Sequence, residues 1–281
     1  MKLLRYGPPG NELPGLLDAE GRIRSLSRLV TDLAGSALLP DALARIAAVD
    51  QRSLPLVEQP VRLGPCVAGT GKFICIGLNY SDHAAETGAA VPPEPVIFMK
   101  ATSAICGPND DVLIPRGSSM TDWEIELGVV IGKTAKHVNE ADALEHVAGY
   151  CISHDVSERG FQLHRAGQWT KGKSCDTFGP IGPWLVTKEE IADPQDLAMR
   201  LKVNGQLVQN GSTRTMVYGV AELVSYLSRF MSLHPGDIIS TGTPPGVGMG
   251  MKPPAYLKNG DVVELQIDGL GIQTQRFVAD A

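Results

Sequence analysis

Runs of lysine and arginine are missing from this sequence, and its formal charge is −6 over 281 residues. Affinity for nucleic acid comes mainly from clustered cations on phosphates, so that class of partner is excluded. No apolar stretch approaches the ~18 residues that suggest a membrane helix. The opening residues, MKLLRYGPPGNELPG, break at Gly7-Pro8-Pro9 before a secretory apolar region could form, so the expected location is cytoplasmic. The five cysteines, Cys66, Cys75, Cys106, Cys151 and Cys175, include no C-x-x-C pair. An odd number lying mostly in apolar stretches reads as reduced core residues. Phosphate cradles are missing too. GTGKF, ending at Phe73, lacks the leading Gly and the Ser/Thr of a P-loop, and GVGMGMKPP has prolines where a helix must begin.

What is present is a 43% hydrophobic chain, enough for a sizeable core. Residues 1–65 mix short apolar pieces with a helical stretch from Asp41 and end in the proline-punctuated SLPLVEQPVRLGP, as a small N-terminal α/β domain and linker would. Over 70–281 the pattern changes to short β-type runs such as FICIGL, PVIFMK, EIELGVVIG and GDIIST. Asn204-Gly205 and Asp268-Gly269 suit tight hairpin turns, which implies antiparallel pairing. In VAELVSYLSRFM, Val220, Leu223, Val224, Leu227, Phe230 and Met231 share one helical face. Regular βαβ alternation and internal repeats are lacking, so the expected class is β-dominated α+β.

The strongest chemical signal is Asp122-Trp123-Glu124-Ile125-Glu126-Leu127-Gly128-Val129-Val130-Ile131. On a strand, Ile125, Leu127 and Val129 share one face, and Glu124 and Glu126 share the other. Paired glutamates on a solvated strand face are common. Here the apolar continuation through Ile131 implies burial on both sides, where unpaired carboxylates are too costly and a hard divalent cation would resolve their repulsion. Asp155, ending the apolar run VAGYCIS-His154, is either a third acidic ligand or a helix N-cap. In helical register from Asp155, Arg159 and Gln162 fall at i+4 and i+7 on one face. Three carboxylates suit Mg²⁺ or Mn²⁺ better than zinc. His83 and Glu86, three residues apart, are either an exposed helical pair or a general base with its orienting carboxylate. Lys173 and Thr243 sit in Gly-rich segments of the kind that carry binding groups. Lys100 is a similar candidate or a lysine snorkelling from a strand end. The other histidines, His154 among them, read as background.

Four ordered motifs, CIGLNYSDHAAE, DWEIELGVVIG, HDVSERGFQ with WTKGKS, and STGTPPGVG, together resemble the fumarylacetoacetate hydrolase family over roughly residues 70–278. The N-terminal piece looks like that of bacterial members acting on sugar-acid breakdown products. The resemblance implies a catalytic β-roll domain, a homodimer, with a tetramer as the alternative, and a small diketo acid as substrate. It implies metal ligands at Glu124, Glu126 and Asp155, a water-activating dyad of His83 and Glu86, and substrate contacts from Arg159, Gln162, Lys173 and Thr243. Some members carry a further acidic ligand where this chain has Cys75-Ile76, so three carboxylates must suffice. Decarboxylation or tautomerisation of oxaloacetate-like acids uses the same chelating site, and the dyad favours hydrolysis.

Overall fold

Apolar side chains on both faces of one short segment fix the centre of the molecule. In the computed structural model, which describes residues 1–82 and 92–280, every residue of the strand Ile125–Ile131 is buried. Ile125, Leu127, Val129 and Ile131 join one large apolar cluster, and Val130 joins a second on the opposite face. A strand covered on both sides needs no polar face, which is why the hydrophobic run is nearly continuous.

That strand lies inside a ten-stranded mixed sheet. Val147–His154 flanks it on one side, followed by Gly179–Thr187 and then the N-terminal strands Lys2–Tyr6, Leu13–Leu17 and Ile23–Ser25. Ile238–Ser240, Phe73–Gly77 and Val96–Lys100 continue on the other side. The N-terminal strands therefore share a sheet with the main segment, through the antiparallel pairing of Lys2 with Val186 and Leu3 with Leu185. A five-stranded sheet, ordered Gln206–Ser212, Ala198–Val203, Val262–Ile267, Gly271–Ala279 and Val112–Ile114, supplies Met199, Leu201, Val263, Leu265 and Phe277 to the first cluster. Each such side chain, removed from water, contributes about 1.5–3 kcal/mol.

The turns follow from residue chemistry. Asn204 at φ +51° and Gly205 at φ +81° join Ala198–Val203 to Gln206–Ser212, the left-handed pair that a two-residue hairpin requires. Gly269, at φ +78°, turns Val262–Ile267 into Gly271–Ala279. The amphipathic helix runs Val220–Phe230 and buries Val220, Leu223, Val224 and Leu227. Phe230 departs from the expected apolar face: it is 60% exposed at the helix end, beyond the packed turns, and sits edge-on to Tyr226 at 5.0 Å. The fold is thus strand-dominated, with few helices among the described residues and none long and apolar enough to cross a membrane.

Candidate active site

Strand register brings the acidic residues together. Val147–His154 pairs antiparallel with Ile125–Ile131, Ser153 opposite Glu126 and His154 opposite Ile125. The ladder continues one step past both strands, where Asp155 N–H donates to the Glu124 carbonyl at 3.0 Å. Residues directly opposite in an antiparallel pair share a face at close Cβ spacing, so Asp155 and Ser153 project beside Glu124 and Glu126. One oxygen from each of Glu124, Glu126 and Asp155 lies within 4.8 Å of the others, and all three residues are buried. Glu124 precedes the strand proper, yet keeps the alternation that puts it beside Glu126.

Asp155 opens no helix, contrary to the expected register. The backbone after it instead pairs Ser157 with Asp122 and Glu158 with Thr121, and the helix is confined to Arg159–Leu163. Glu158 caps it, accepting from Gly160 N–H at 2.9 Å, and the same carboxylate accepts from Met120 N–H and the Ser118 hydroxyl. Arg159 and Gln162 do share a face of this short helix, Arg159 Nη1 donating to Gln162 Oε1 at 3.0 Å. A second short helix, Thr170–Lys173, packs against the first because Gly172 has no side chain. A Cβ there would sit 2.4 Å from the Glu158 carbonyl and 2.5 Å from Gln162 N. That close approach delivers Lys173 to the carboxylates.

Lys173 Nζ donates to Glu124 Oε2 at 2.6 Å and to Asp155 Oδ2 at 2.7 Å. Arg159 Nη2 donates to Glu124 Oε1 at 2.6 Å, and its Nε donates to Asp122 Oδ2 at 2.8 Å. Burial alone would raise the Glu124 carboxyl, but Arg159 and Lys173 prevail and hold it well below the usual carboxylate range. Burial likewise works against the Lys173 ammonium, yet Asp155 and Glu124 push it up to about 12. Among the described residues, Glu126 has no such cation at contact. Burial, then the charges of Asp155 and Glu124, drive its carboxyl well above its ordinary value, although Ser240 Oγ at 2.5 Å and Gly242 N–H at 3.0 Å both donate to Oε2.

The cavity over these groups has a volume of about 220 Å³. Its floor is Glu124, Glu126, Arg159, Gln162, Lys173 and Thr243. Phe98 and Trp169 form an apolar wall, their rings 5.3 Å apart and edge-to-face. Trp169 closes against Gly77, where a Cβ would meet its ring at 2.5 Å.

This arrangement has close counterparts. The family profile described as Fumarylacetoacetate (FAA) hydrolase C-terminal matches residues 72–278. The chain belongs to the fumarylacetoacetate hydrolase family. A Burkholderia multivorans protein, whose name goes no further than hydrolase, is 63% identical over 276 residues, 98% of each chain. Among solved structures, fumarylacetoacetate hydrolase from Exiguobacterium antarcticum superposes with a TM-score of 0.88 at 37% identity, over 100% of both chains. Maleylpyruvate hydrolase from Sphingobium, in complex with manganese(II) and pyruvate, gives 0.83 at 28% identity, again over 100% of both chains.

The donor set of this family member fits a hard divalent ion. Oxygen donors alone converge, one of the three carboxyls is driven upward by burial and then by its neighbours' charge, and Asp155 Oδ1 is buried without a hydrogen bond. Lys100 Nζ lies 2.7 Å from that oxygen as an ion pair and donates to the carbonyls of Val156 and Lys173.

Lys100 thus corrects an expectation: its ammonium lies beneath Asp155, away from the cavity lining, because the fully buried end of Val96–Lys100 points it at those carbonyls. Thr243 does line the cavity, but its hydroxyl donates to the Ile125 carbonyl at 2.9 Å and accepts from Gln209 at 2.9 Å. Arg159 has its donor fork committed to Asp122, Glu124 and Gln162. His83 and Glu86 lie outside the described residues.

Several supporting residues escape sequence reasoning. Asp122 accepts from Arg159, Trp123 N–H, Gly248 N–H and Met249 N–H. Gln209 ties Ile125 N–H to Thr243 and Pro244. His154 is buried, and burial pushes its pKa down to about 3 against the opposing hydrogen bond to Gln275. Gln275 Nε2 already donates to Gln273 and Pro108, so its Oε1 accepts and His154 Nδ1 carries the proton. His154 Nε2 is left without a partner. Only the position of His154 beside Asp155 could have signalled it.

Proposed function

We propose that this protein is a divalent-metal-dependent hydrolase that cleaves the C3–C4 bond of a small 2,4-diketo acid. The substrate we assign is 2,4-diketo-3-deoxy-L-rhamnonate, giving pyruvate and L-lactate. The observation that carries the reading is the convergence of Glu124, Glu126 and Asp155, with the two glutamates lining the floor of the cavity. The choice of substrate is supported by the motif set and by the likeness of the N-terminal segment to members acting on sugar acids.

Bound by those three carboxylates, Mg²⁺ or Mn²⁺ supplies a Lewis acid for the oxygens of a 2-oxo acid and for negative charge developing there. The chain's own groups do the rest. Lys173 stays protonated at neutral pH, so it serves as a fixed positive charge that keeps Glu124 ionised and aims both Glu124 and Asp155. Gln162, its oxygen engaged by Arg159, turns amide hydrogens to the ligand. Thr243 shapes the floor. In this reading His83, oriented by Glu86, takes a proton from water as the water oxygen bonds to C4. The C3–C4 bond then breaks, its electron pair passes to C3, and the proton held by His83 goes to C3 to complete pyruvate. The distal half leaves as the second carboxylic acid.

The test is pyruvate release from 2,4-diketo-3-deoxy-L-rhamnonate and from oxaloacetate, by chelator-treated protein supplied with Mg²⁺ or Mn²⁺. Metal-dependent release of pyruvate with L-lactate is expected, and His83→Ala should lose it while still binding metal. Consumption of oxaloacetate alone would turn the assignment to decarboxylation.

A further inference from the structure

We infer that the site selects a substrate whose distal group carries no charge and rejects one ending in a second carboxylate. The inference rests on the proposed hydrolysis of a 2,4-diketo acid and adds the active exclusion of a charged tail.

The polarity of the cavity is divided by depth. The charged groups at its floor are buried, and its outer lining is apolar: Leu78, Leu163, Trp169 and Met249, with Phe98 behind Trp169. Leu163 is 40% exposed on a helix whose inward face is taken by Arg159 and Gln162, so it presents alkyl surface at the mouth. Leu78 adopts φ +55°, a left-handed conformation uncommon for a leucine. In that conformation its apolar side chain lines the cavity wall.

A second carboxylate needs a cation or several N–H donors once it leaves water. Arg159 and Lys173 are the only cations lining the cavity among the described residues, and both are spent on Asp122, Glu124 and Asp155. Arg165 and Lys171, the next cations along the same segment, do not line it. Arg165 lies over the Phe161 ring at 5.8 Å, and Lys171 Nζ donates to the Arg165 carbonyl at 2.9 Å. A terminal carboxylate would therefore meet apolar carbon, close to the floor's own carboxylates. The volume of about 220 Å³ also falls below the roughly 300–1,000 Å³ of pockets for drug-sized ligands, which suits a short tail.

An isosteric pair tests this: 2,4-dioxoheptanedioate, which ends in a carboxylate γ to the 4-ketone and so does not decarboxylate, and 7-methyl-2,4-dioxooctanoate, which ends in an isopropyl group of similar shape. With the metal-loaded full chain, kcat/KM is expected to favour the isopropyl compound at least tenfold. Leu163→Arg, which places a cation at the exposed mouth, should narrow or reverse that ratio. Equal or better use of the dianion by the wild-type chain overturns the inference. Should neither compound be cleaved, the hydrolytic reading is decided by its own assay on 2,4-diketo-3-deoxy-L-rhamnonate, and selectivity by calorimetry with two acids that lack the 4-keto group. Tighter binding of 6-methyl-2-oxoheptanoate than of 2-oxohexanedioate supports it; the reverse order, or no binding of either, overturns it.

Discussion

Asp122→Asn perturbs the site without touching any of the three converging carboxylates. The Asp122 carboxylate sits at the centre of four buried donors: Arg159 Nε and Met249 N–H on Oδ2, Trp123 N–H and Gly248 N–H on Oδ1. An amide of the same shape has one acceptor, so in either orientation two donors face an N–H₂ group. Buried hydrogen bonds to charged groups are worth about 1.5–3 kcal/mol each. Stripping one partner from a buried ion pair costs about 3–5 kcal/mol. Because Arg159 keeps Glu124, the expected loss is about 3–5 kcal/mol, read from urea unfolding at pH 7 followed by tryptophan emission. Slack in Arg159 also loosens Glu124, so affinity for Mn²⁺ should fall about 10–100-fold, as for other partners that orient metal ligands. A loss below about 1 kcal/mol with unchanged Mn²⁺ affinity would refute the argument that Asp122 fixes this corner.

Acid should destabilise the chain through His154. Its folded-state pKa is lowered to about 3 from an ordinary 6.5, so its contribution is present above pH 6.5 and is lost as pH falls toward 3. Between pH 6.5 and 4.5 the His154 share of the loss is about 2–3 kcal/mol, read as the difference between wild type and His154→Gln in urea unfolding at both pH values, because the raised Glu126 carboxyl works in the opposite direction over this range. Ser240→Ala removes the hydroxyl that donates to Glu126 Oε2 and should weaken Mn²⁺ binding by about tenfold in calorimetry, with little change in unfolding. Gly242→Ala forces a side chain into φ +98° with its Cβ 2.9 Å from Asn79 Cβ. It should cost about 2 kcal/mol or more, seen as a lowered thermal midpoint.

Local periodicity and turn chemistry were legible. The all-buried strand at Ile125–Ile131, the Asn204-Gly205 hairpin and the helix starting at Val220 follow from residues close in sequence. Glu124 and Glu126 were legible as a pair because alternation is a local rule. Their proximity to Asp155 depends on the register between two strands some twenty residues apart, which no spacing states. That register also explains the helix misplaced at Asp155: tertiary pairing of Ser157 and Glu158 took the backbone before helical propensity could act. Lys100 was misread for a related reason, since a strand-end lysine looks the same whether it reaches solvent or a buried carbonyl. Gln209 and Asp122 carry their roles through backbone N–H groups distant in sequence and leave no local signature.

The central claim, one divalent ion held by Glu124, Glu126 and Asp155, is tested most directly by titrating chelator-treated protein with Mn²⁺ and following the free ion by electron paramagnetic resonance. One ion per chain is predicted. In Glu126→Gln, which preserves shape and removes the charge, affinity should fall by more than the roughly 10–100-fold that loss of an outer partner costs. No stoichiometric binding by the wild type, or equal binding by the variant, would contradict the account.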